Sequence, residues 1–452
     1  MTIGRVLVCG LGVGAVGLAG CGMMRRQDGG KAVAAAPAAS AAAPMAYRDA
    51  SNGLPANRIW KSQIAFGDVN GDGFPDIGVV SRLADGPWIF ISDGQGNWRE
   101  GANGLPREPF CGGGMSFMDV NKDGLTDVAI ADHCKGVYVY LGDGQGNWRT
   151  ASSGLPTIGA EDASLGDFNN DGCPDLASVA AAEEGVRAFV GNCKGVWKES
   201  SDGLSQTEWG NSVELADVNA DGNLDIVAAY SAGPRVWLGN GKGKWTEASQ
   251  GLPAPEVHGL YWGIAAGDMN GDGRLDVVSG SQMPPLPEGC GAPGAPICSG
   301  GGVEVFLQQP DGSWQFSNQG LAPMNALGVA IGDMNNDGKP DVVAVGKRAL
   351  DEIGGVYGVY IFLGDGKGNW TPVTPAGLPQ TGKERTWGVG VTDLNKDGVP
   401  DVAAAFGDVV HPGWHSGAKK EAGAEQGKSA APQRGKFGSI GVWFGSLLGK
   451  GS

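Results

Sequence analysis

The stretch Asp68-Val69-Asn70-Gly71-Asp72-Gly73-Phe74-Pro75-Asp76 decides the fold, because its pattern D-x-N-x-D-G-x-x-D occurs seven times in the 452-residue chain. The copies begin at Asp68, Asp119, Asp167, Asp217, Asp268, Asp333 and Asp393. Successive copies start between 48 and 65 residues apart. Self-similarity at a nearly constant spacing indicates a repeat architecture in which each repeat is one supersecondary unit.

The sequence around each copy repeats as well and predicts four short strands per unit. Apolar runs at 64–67 and 77–80 flank the first copy, and in the second unit a run at 137–140 precedes a Gly-rich turn that ends at Trp148. A further stretch then ends in Gly-Leu-Pro. Short apolar runs separated by turn residues are typical of β-strands. Seven such units predict an all-β protein with the fold of a seven-bladed β-propeller, and 82 Gly and 26 Pro suit its many turns.

The two ends of the chain predict how the ring of blades closes. The stretch after Trp98 and Trp148 recurs at 47–55, before the first unit, while the seventh unit stops near Phe444 without its own copy. We therefore expect the N-terminus to supply the outer strand of the last blade. This arrangement closes the ring and leaves no open sheet edge.

The repeated loop has the chemistry of a calcium site. Side-chain oxygens at positions 1, 3, 5 and 9 and a backbone carbonyl at position 7 are hard ligands, and Gly at position 6 permits a sharp turn. We predict about one calcium ion in each blade, seven in all. The predicted ligands are Asp68, Asn70, Asp72, Phe74, Asp76, Asp119, Asn121, Asp123, Leu125, Asp127, Asp167, Asn169, Asp171, Cys173, Asp175, Asp217, Asn219, Asp221, Asn223, Asp225, Asp268, Asn270, Asp272, Arg274, Asp276, Asp333, Asn335, Asp337, Lys339, Asp341, Asp393, Asn395, Asp397, Val399 and Asp401.

This loop has two alternative interpretations. An EF-hand needs Glu at position 12 and flanking helices, but the first two loops have Val79 and Ile130 there and their flanks are strand-like. Asp, Asn and Gly also form turns without any metal. Seven copies with four oxygen side chains each favour calcium over simple turns, and seven divalent ions would offset most of the formal net charge of -16.

These loops resemble the FG-GAP/VCBS repeats of integrin α-subunit propellers and of many bacterial surface proteins. The resemblance covers roughly residues 46–445, and Cys173 at position 7 of the third loop is compatible with it because only the backbone is used there. The resemblance implies calcium binding, an extracytoplasmic location and a role in binding or adhesion. It does not specify a ligand, because fold does not determine function.

The N-terminus resembles a bacterial lipoprotein signal. One charge, Arg5, precedes an apolar and Gly-rich run that ends in Leu18-Ala19-Gly20-Cys21. We predict a signal peptide over 1–20, lipidation of Cys21, a flexible Ala/Pro/Gly linker over 21–45 and the propeller over 46–452. The predicted location is an exported lipoprotein anchored to a membrane, in the outer membrane, the periplasm or at the cell surface. The alternative is an ordinary cleaved signal peptide with a chance cysteine.

The remaining cysteines agree with an oxidising compartment. Cys111 and Cys134 flank one predicted hairpin almost symmetrically, Cys173 and Cys193 lie at turns on the same end of the third unit, and Cys290 and Cys298 bracket a Pro/Gly loop. We predict three local disulfides from these placements. A metal cluster is disfavoured because no CxxC pair occurs.

The sequence favours a binding module over an enzyme. The acidic balance argues against nucleic acid as a partner, and no nucleophile–base motif occurs. We expect a calcium-stabilised, monomeric, non-catalytic binding or adhesion module for an unknown protein or carbohydrate. The alternatives are a propeller-type carbohydrate-active enzyme, similar to a polysaccharide lyase, and a purely structural envelope protein.

Aromatic and charged residues cluster where the chain enters the first strand of several units, on the face opposite the calcium loops. First strands line the axis of a propeller, so we predict a ligand site at that mouth. The candidates are Arg58, Trp60, Glu208, Trp209, His258, Tyr261, Trp262, Lys383, Arg385 and Trp387. The alternative is packing between blades, which we also expect of the recurring Trp98, Trp148, Trp197, Trp245, Trp314 and Trp370.

Overall fold

The computed structural model describes residues 45–56, 58–180, 184–230, 233–253, 261–281, 302–321, 324–348, 357–379, 386–407 and 439–448. The chain divides into two units, Met1–Ala39 and Ser40–Ser452, and every described residue lies in the second. This part of the chain contains strands and turns without a helix, and accordingly no described helix is long and apolar enough to cross a membrane. The predicted lipidation site, Cys21, lies outside the described residues.

Seven four-stranded antiparallel sheets form the blades. Their strands are β1 (Met45–Asp49), β2 (Ala65–Gly67), β3 (Asp76–Val80), β5 (Pro87–Ser92), β6 (Trp98–Glu100), β8 (Met115–Met118), β9 (Asp127–Asp132), β10 (Gly136–Gly142), β11 (Trp148–Thr150), β12 (Ala160–Gly166), β13 (Asp175–Ala180), β14 (Val186–Gly191), β15 (Trp197–Glu199), β16 (Gly210–Ala216), β17 (Asp225–Tyr230), β18 (Gly233–Gly239), β19 (Trp245–Glu247), β20 (Tyr261–Gly267), β21 (Asp276–Ser281), β22 (Gly302–Gln308), β23 (Trp314–Phe316), β24 (Met324–Gly332), β25 (Asp341–Arg348), β26 (Tyr357–Gly364), β27 (Trp370–Val373), β28 (Thr386–Thr392), β29 (Asp401–Phe406) and β30 (Ile440–Leu447). Strands β4 (Arg82–Asp85) and β7 (Pro109–Cys111) form an additional two-stranded sheet that the repeats did not predict.

The ring closes as predicted, by an N-terminal strand. In the seventh blade the strand order is β1-β30-β29-β28, so β1 is the outermost strand. It pairs antiparallel with β30 from Met45 opposite Leu447 to Asp49 opposite Trp443. The other six blades each use four strands in sequence order from the innermost to the outermost, and the first blade skips β4.

The second strand of each blade forms the centre of the core. Every residue of β3, β9, β13, β17, β21 and β29 is buried. These strands are apolar along most of their length because neighbouring blades cover both faces. One cluster shows this contact: Val179 of the third blade packs with Ile226 and Trp245 of the fourth.

The recurring tryptophans join adjacent blades, as predicted. Each begins the outermost strand of its blade, and Trp148 Nε1, for example, donates a hydrogen bond of 2.8 Å to the carbonyl of Gly101 in the preceding blade. Trp98, Trp197, Trp245 and Trp314 make the same bond to a carbonyl 45 to 66 residues earlier. Trp370 is buried, but its Nε1 has no hydrogen-bond partner among the described residues.

The glycine of each Gly-Leu-Pro stretch permits the same contact between blades. Gly154 has φ +92°, and a Cβ there would lie 2.2 Å from the carbonyl oxygen of Trp197. Gly377 has φ +92° as well, and its Cβ would lie 1.8 Å from the carbonyl oxygen of Tyr47. Tyr47 therefore takes, in the closing strand, the place that tryptophan takes in the other blades.

Candidate metal loops and axial mouth

The first aspartate organises each candidate calcium loop. In the first loop, the amide N–H of Gly73 donates to Oδ2 of Asp68 at 2.8 Å, and that of Gly71 donates to Oδ1 at 2.7 Å. The bond from position 6 to position 1 occurs in all seven loops, at 2.7 to 2.9 Å. The backbone thus wraps around the first carboxylate, so both of its oxygens face the interior of the loop.

The side chains at positions 3 and 5 are fixed in the same way. Position 3 Oδ1 accepts from the amide of position 5 at 2.9 to 3.0 Å, and position 5 Oδ1 accepts from the amide of position 7 at 2.8 to 3.0 Å. The amide Nδ2 of Asn70 also donates to Oδ2 of Asp72 at 2.7 Å, and the same pair meets in the other loops. These are Asx-type turns, in which side chains replace backbone partners.

The aspartate at position 9 connects the loop to the sheet. Asp76 is fully buried; its Oδ2 accepts from the amide of Val69 and its Oδ1 from the amide of Ser92, both at 2.8 Å. The equivalent aspartates are Asp127, Asp175, Asp225, Asp276, Asp341 and Asp401, each with the same two types of partner. Burial raises the pKa of Asp76 to about 7, against the two hydrogen bonds that lower it.

Position 4 of the loop is left-handed, which the sequence pattern did not predict. Lys122, Asn170, Ala220, Asn336 and Lys396 have φ between 53° and 61°, and glycine occupies this position in the other two loops. Left-handed backbone costs a non-glycine residue about 1–2 kcal/mol. The conformation recurs in all seven loops, so the loop geometry requires it.

The donor set of each loop fits a hard cation, because three carboxylates and one amide oxygen lie within nine residues. Within the described residues, the three carboxylates of a loop are not gathered within 4.8 Å of one another. In the described part of the chain, the only three acidic, histidine or cysteine ligand atoms lying within 4.8 Å of one another belong to Cys111, Asp132 and Cys134. The two sulfurs of that group are joined in a disulfide.

Two of the three predicted disulfides are present. Cys111 and Cys134 have Cα atoms 5.6 Å apart, and Cys173 and Cys193 have Cα atoms 5.2 Å apart. The predicted pair Cys290 and Cys298 lies outside the described residues. Cys173 is therefore both a disulfide partner and the residue whose carbonyl is predicted at position 7 of the third loop.

A second arrangement lies at the other end of the first strands. In each blade the sixth residue before the first loop aspartate borders one cavity of about 30 Å³ on the propeller axis. We call these seven residues the axial ring; they are Ser62, Gly113, Glu161, Asn211, Trp262, Leu327 and Trp387. In blades three to seven the ring residue is the extra residue of a β-bulge. A bulge redirects a side chain out of the regular alternation, which here allows it to face the axis.

A buried ion pair crosses the axial ring. Lys61 Nζ lies 2.6 Å from Glu161 Oε2, with side chains 8% and 3% exposed, and 5.9 Å from the ring centroids of both Trp262 and Trp387. His133 Nδ1 also contacts Glu161. Burial alone would raise the pKa of Glu161, but Lys61 and His133 outweigh it and hold this pKa well below its usual range.

The predicted ligand residues occupy different environments. Trp262 and Trp387 belong to the axial ring, and Trp209 lies beside it, donating to Asn211 at 3.0 Å and packing 5.2 Å from His133. Trp60 and Tyr261 are fully buried in the blade cores. Arg58 lies over Trp88 at 5.2 Å, and Glu208 is exposed. His258, Lys383 and Arg385 lie outside the described residues.

Sequence reasoning missed five of the seven ring residues and one neighbour: Ser62, Gly113, Glu161, Asn211, Leu327 and Lys61. A signal was available: all but Lys61 stand exactly six residues before a loop aspartate, so aligning the seven repeats with one another would have collected them. Lys61 precedes its ring position by one residue. Its side chain borders the cavity together with Ser62 and Gly113, whose small side chains leave room for it.

The sequence matches the FG-GAP-like repeat family in six segments, residues 68–130, 119–178, 167–228, 217–279, 296–344 and 351–404. Integrin alpha-6 of Homo sapiens is 34% identical over 120 residues, 24% of this chain and 10% of the integrin chain. Integrin alpha-6 of Gallus gallus is 31% identical over 144 residues, 28% of this chain and 13% of the integrin. The matches thus span only about a tenth of these relatives.

The fold also resembles a solved structure, that of BBS1N in complex with ARL6DN. The similarity covers 90% of this chain and 98% of that chain, with 10% sequence identity and a TM-score of 0.51. At that identity the likeness concerns the fold alone. The family segments cover most of the chain and the fold has the seven blades that the repeats predict, so the chain belongs to the FG-GAP-like repeat family, as a β-propeller similar to the N-terminal region of integrin alpha subunits.

Proposed function

We propose that this protein is a calcium-stabilised, non-catalytic binding module, exported and attached to a membrane through lipidated Cys21. The observation that carries the proposal is the sevenfold repetition of one loop in which backbone amides fix the side chains at positions 1, 3 and 5. In each blade, positions 1, 3, 5 and 9 would hold the ion together with the position 7 carbonyl. Bound calcium supplies positive charge that neutralises the clustered carboxylates.

Direct metal measurement tests the calcium part of the proposal. After exhaustive dialysis against chelator and then against calcium buffer, elemental analysis of the full chain should find several calcium ions per molecule, up to about seven. Asp217→Asn should remove about one ion, whereas Asp202→Asn, at an exposed site outside the loops, should remove none. Protein that retains no calcium at all would refute this assignment.

Export and anchoring are supported by the sequence of the first 21 residues and by the two disulfides, which form in oxidising compartments. The test is cell fractionation. Cys21→Ser should move the protein from the membrane fraction to the soluble fraction, since the acyl attachment atom is gone, while Cys9→Ser should leave it membrane-bound. Identical fractionation of Cys21→Ser and wild type would exclude lipid anchoring at this residue.

The axial ring supports a ligand site on the face opposite the calcium loops. Trp262 and Trp387, 9% and 7% exposed, line the small cavity beside the charged pair, and the half-buried Trp209 adjoins them. This setting suits a single sugar or peptide side-chain group at the mouth. We do not include Trp60 and Tyr261, because both are fully buried. Single Trp209→Ala and Trp387→Ala variants should reduce retention on glycan or protein arrays more than Trp60→Ala does. If they only lower the melting temperature and leave retention unchanged, the site lies elsewhere.

A further inference from the structure

A second cavity shares no lining residue with the candidate calcium ligands or with the axial ring. Its volume is about 760 Å³, within the usual range for small-molecule sites. It is bordered by strands β17 to β19 of the fourth blade, by 248–253 leading to the fifth blade, and by the turn at Asp311. Ser205 and Glu208, from the segment that enters the fourth blade, complete its wall. We call it the rim cavity.

Arg235 is the cationic group of the rim cavity, and the third blade shows what is unusual about it. Arg187 occupies the same strand position there and is held by two carboxylates, with Nη1 2.9 Å from Glu199 and Nη2 2.7 Å from Glu184. Arg235 instead donates through Nη1 to the carbonyls of Pro234 and Pro253, at 2.8 and 2.9 Å. It forms no ion pair with any described residue, although Glu247 borders the same cavity. Arg235 is thus the one cation among the described lining residues, and the charged residues that share the cavity with it, Glu208, Glu247 and Asp311, are all acidic.

Tyr230 provides a second polar group. The residue is 1% exposed, and its hydroxyl has no acceptor among the described residues. The neighbouring amide of Val186 already donates to the carbonyl of Ser205 at 3.0 Å. A buried hydroxyl without a partner costs about 1–3 kcal/mol, so such a group calls for an explanation. Tyr230 borders the rim cavity, and a ligand oxygen there would accept its hydrogen bond.

Glu208 is strained at the edge of the cavity. Its φ of 74° is left-handed, and among the described non-glycine residues with positive φ it alone lies outside the repeated loops and Gly-rich turns. Its carbonyl accepts from the amide of Gly185 at 3.1 Å, which fixes the backbone. Strain of this kind persists where the surroundings enforce it and often marks functional sites.

We propose that the rim cavity binds a saccharide that carries a single carboxylate, such as a uronic acid next to a neutral sugar. Arg235 takes the carboxylate, since guanidinium and carboxylate form paired charge-assisted hydrogen bonds. Tyr230 donates to a sugar oxygen, and Glu208, Glu247 and Gln250 accept from sugar hydroxyls. The lining has three acidic residues, Glu208, Glu247 and Asp311, beside the single Arg235. They disfavour ligands with several negative charges, which distinguishes this site from one for sulfated polyanions.

The proposal rests on neither calcium nor lipid anchoring, and its test uses the full-length chain in calcium buffer. Isothermal titration calorimetry with digalacturonic acid monomethyl ester, which has one free carboxylate, should show binding. The neutral counterpart, digalactose, should bind at least about tenfold more weakly because it cannot pair with Arg235. Equal binding of the two, or no binding of either, overturns the proposal.

Variants then assign the binding to these residues. Arg235→Gln should lower affinity for the monoacid about tenfold to a hundredfold, whereas Arg187→Gln, at the same position in the third blade, should leave it unchanged. Tyr230→Phe should lower affinity about twofold to tenfold without lowering the melting temperature, because it removes only an unpartnered hydroxyl. Unchanged affinity in Arg235→Gln, or an equal loss in Arg187→Gln, would show that the cavity is not the site.

Discussion

The two faces of the propeller differ in how they use the same seven repeats. On one face, each loop has the same residues at positions 1, 3, 5, 6 and 9 and the same hydrogen bonds. On the other, the seven positions of the axial ring hold six different residue types, from Gly113 to Trp387. The difference shows where the fold constrains the sequence. A residue that recurs in every blade is required by the structure of the repeat, whereas a position that varies between blades can carry a side chain specific to one blade.

Removing calcium should have the largest effect, because it acts on all seven loops at once. Each site filled at a hundred times its dissociation constant stabilises the fold by about 2.7 kcal/mol, so chelation should lower the melting temperature by more than about 10 °C. Differential scanning calorimetry with and without chelator measures this. Magnesium serves as the control ion and should restore less, since it prefers stricter octahedral geometry. Identical melting curves with and without chelator would show that calcium does not stabilise the fold.

On the opposite face, the test is to break the buried ion pair of the axial mouth. Lys61→Met leaves Glu161 buried with only His133 beside it, so unfolding free energy should fall by about 3 kcal/mol. Adding Glu161→Gln in the same chain should recover most of the loss, since the uncompensated charge is gone. Urea denaturation of the three proteins measures both steps. If Lys61→Met is as stable as wild type, the ion pair with Glu161 does not contribute to the stability of the fold.

A pH dependence should follow from Glu214, on inner strand β16. Burial raises its pKa to about 7, and its Oε2 accepts from the amide of Ala266 in the next blade at 3.0 Å. The folded chain therefore holds this proton more tightly than the unfolded chain. Its contribution to stability is complete below the unfolded pKa of about 4.3 and is lost as pH rises through about 7.

Glu214→Gln should accordingly flatten the fall in stability between pH 5 and pH 8, by at most about 1.4 kcal/mol per pH unit. Urea denaturation in calcium buffer across that range measures the slope. Glu247→Gln, an exposed change in the same blade, is the control and should keep the wild-type slope. Parallel profiles for wild type and Glu214→Gln would contradict the assignment.

The smallest effect concerns position 4 of the loops. Ala220→Gly removes a left-handed alanine with φ 57° and should stabilise the protein by up to about 1 kcal/mol. Gly71→Ala, at the same position of the first loop, should destabilise it by a similar amount. Thermal melting of both variants gives the signs. Two shifts of the same sign would show that the seven loops are not equivalent at this position.

The fold and the loops were predictable because both repeat. Seven copies of one motif predicted the blades. The extra copy, at 47–55, of the stretch that follows Trp98 and Trp148 predicted that β1 closes the ring. The axial ring was only partly predictable, because Trp262 stands out in a sequence whereas Asn211 and Leu327 do not. The bulges that turn these side chains toward the axis depend on pairing between strands, and the Lys61–Glu161 contact joins residues 100 positions apart. Neither leaves a local signal.

The shared seventh blade has a consequence for biogenesis. Its outermost strand begins at Met45 and its partner ends at Leu447, so nearly the whole chain must be synthesised before this sheet can form. During synthesis and any translocation, β1 has no β30 to pair with, so its edge is exposed to other strands and to proteases. A ribosome that stops before β30 therefore releases an open arc of blades, whose two ends are free to pair with those of another truncated chain.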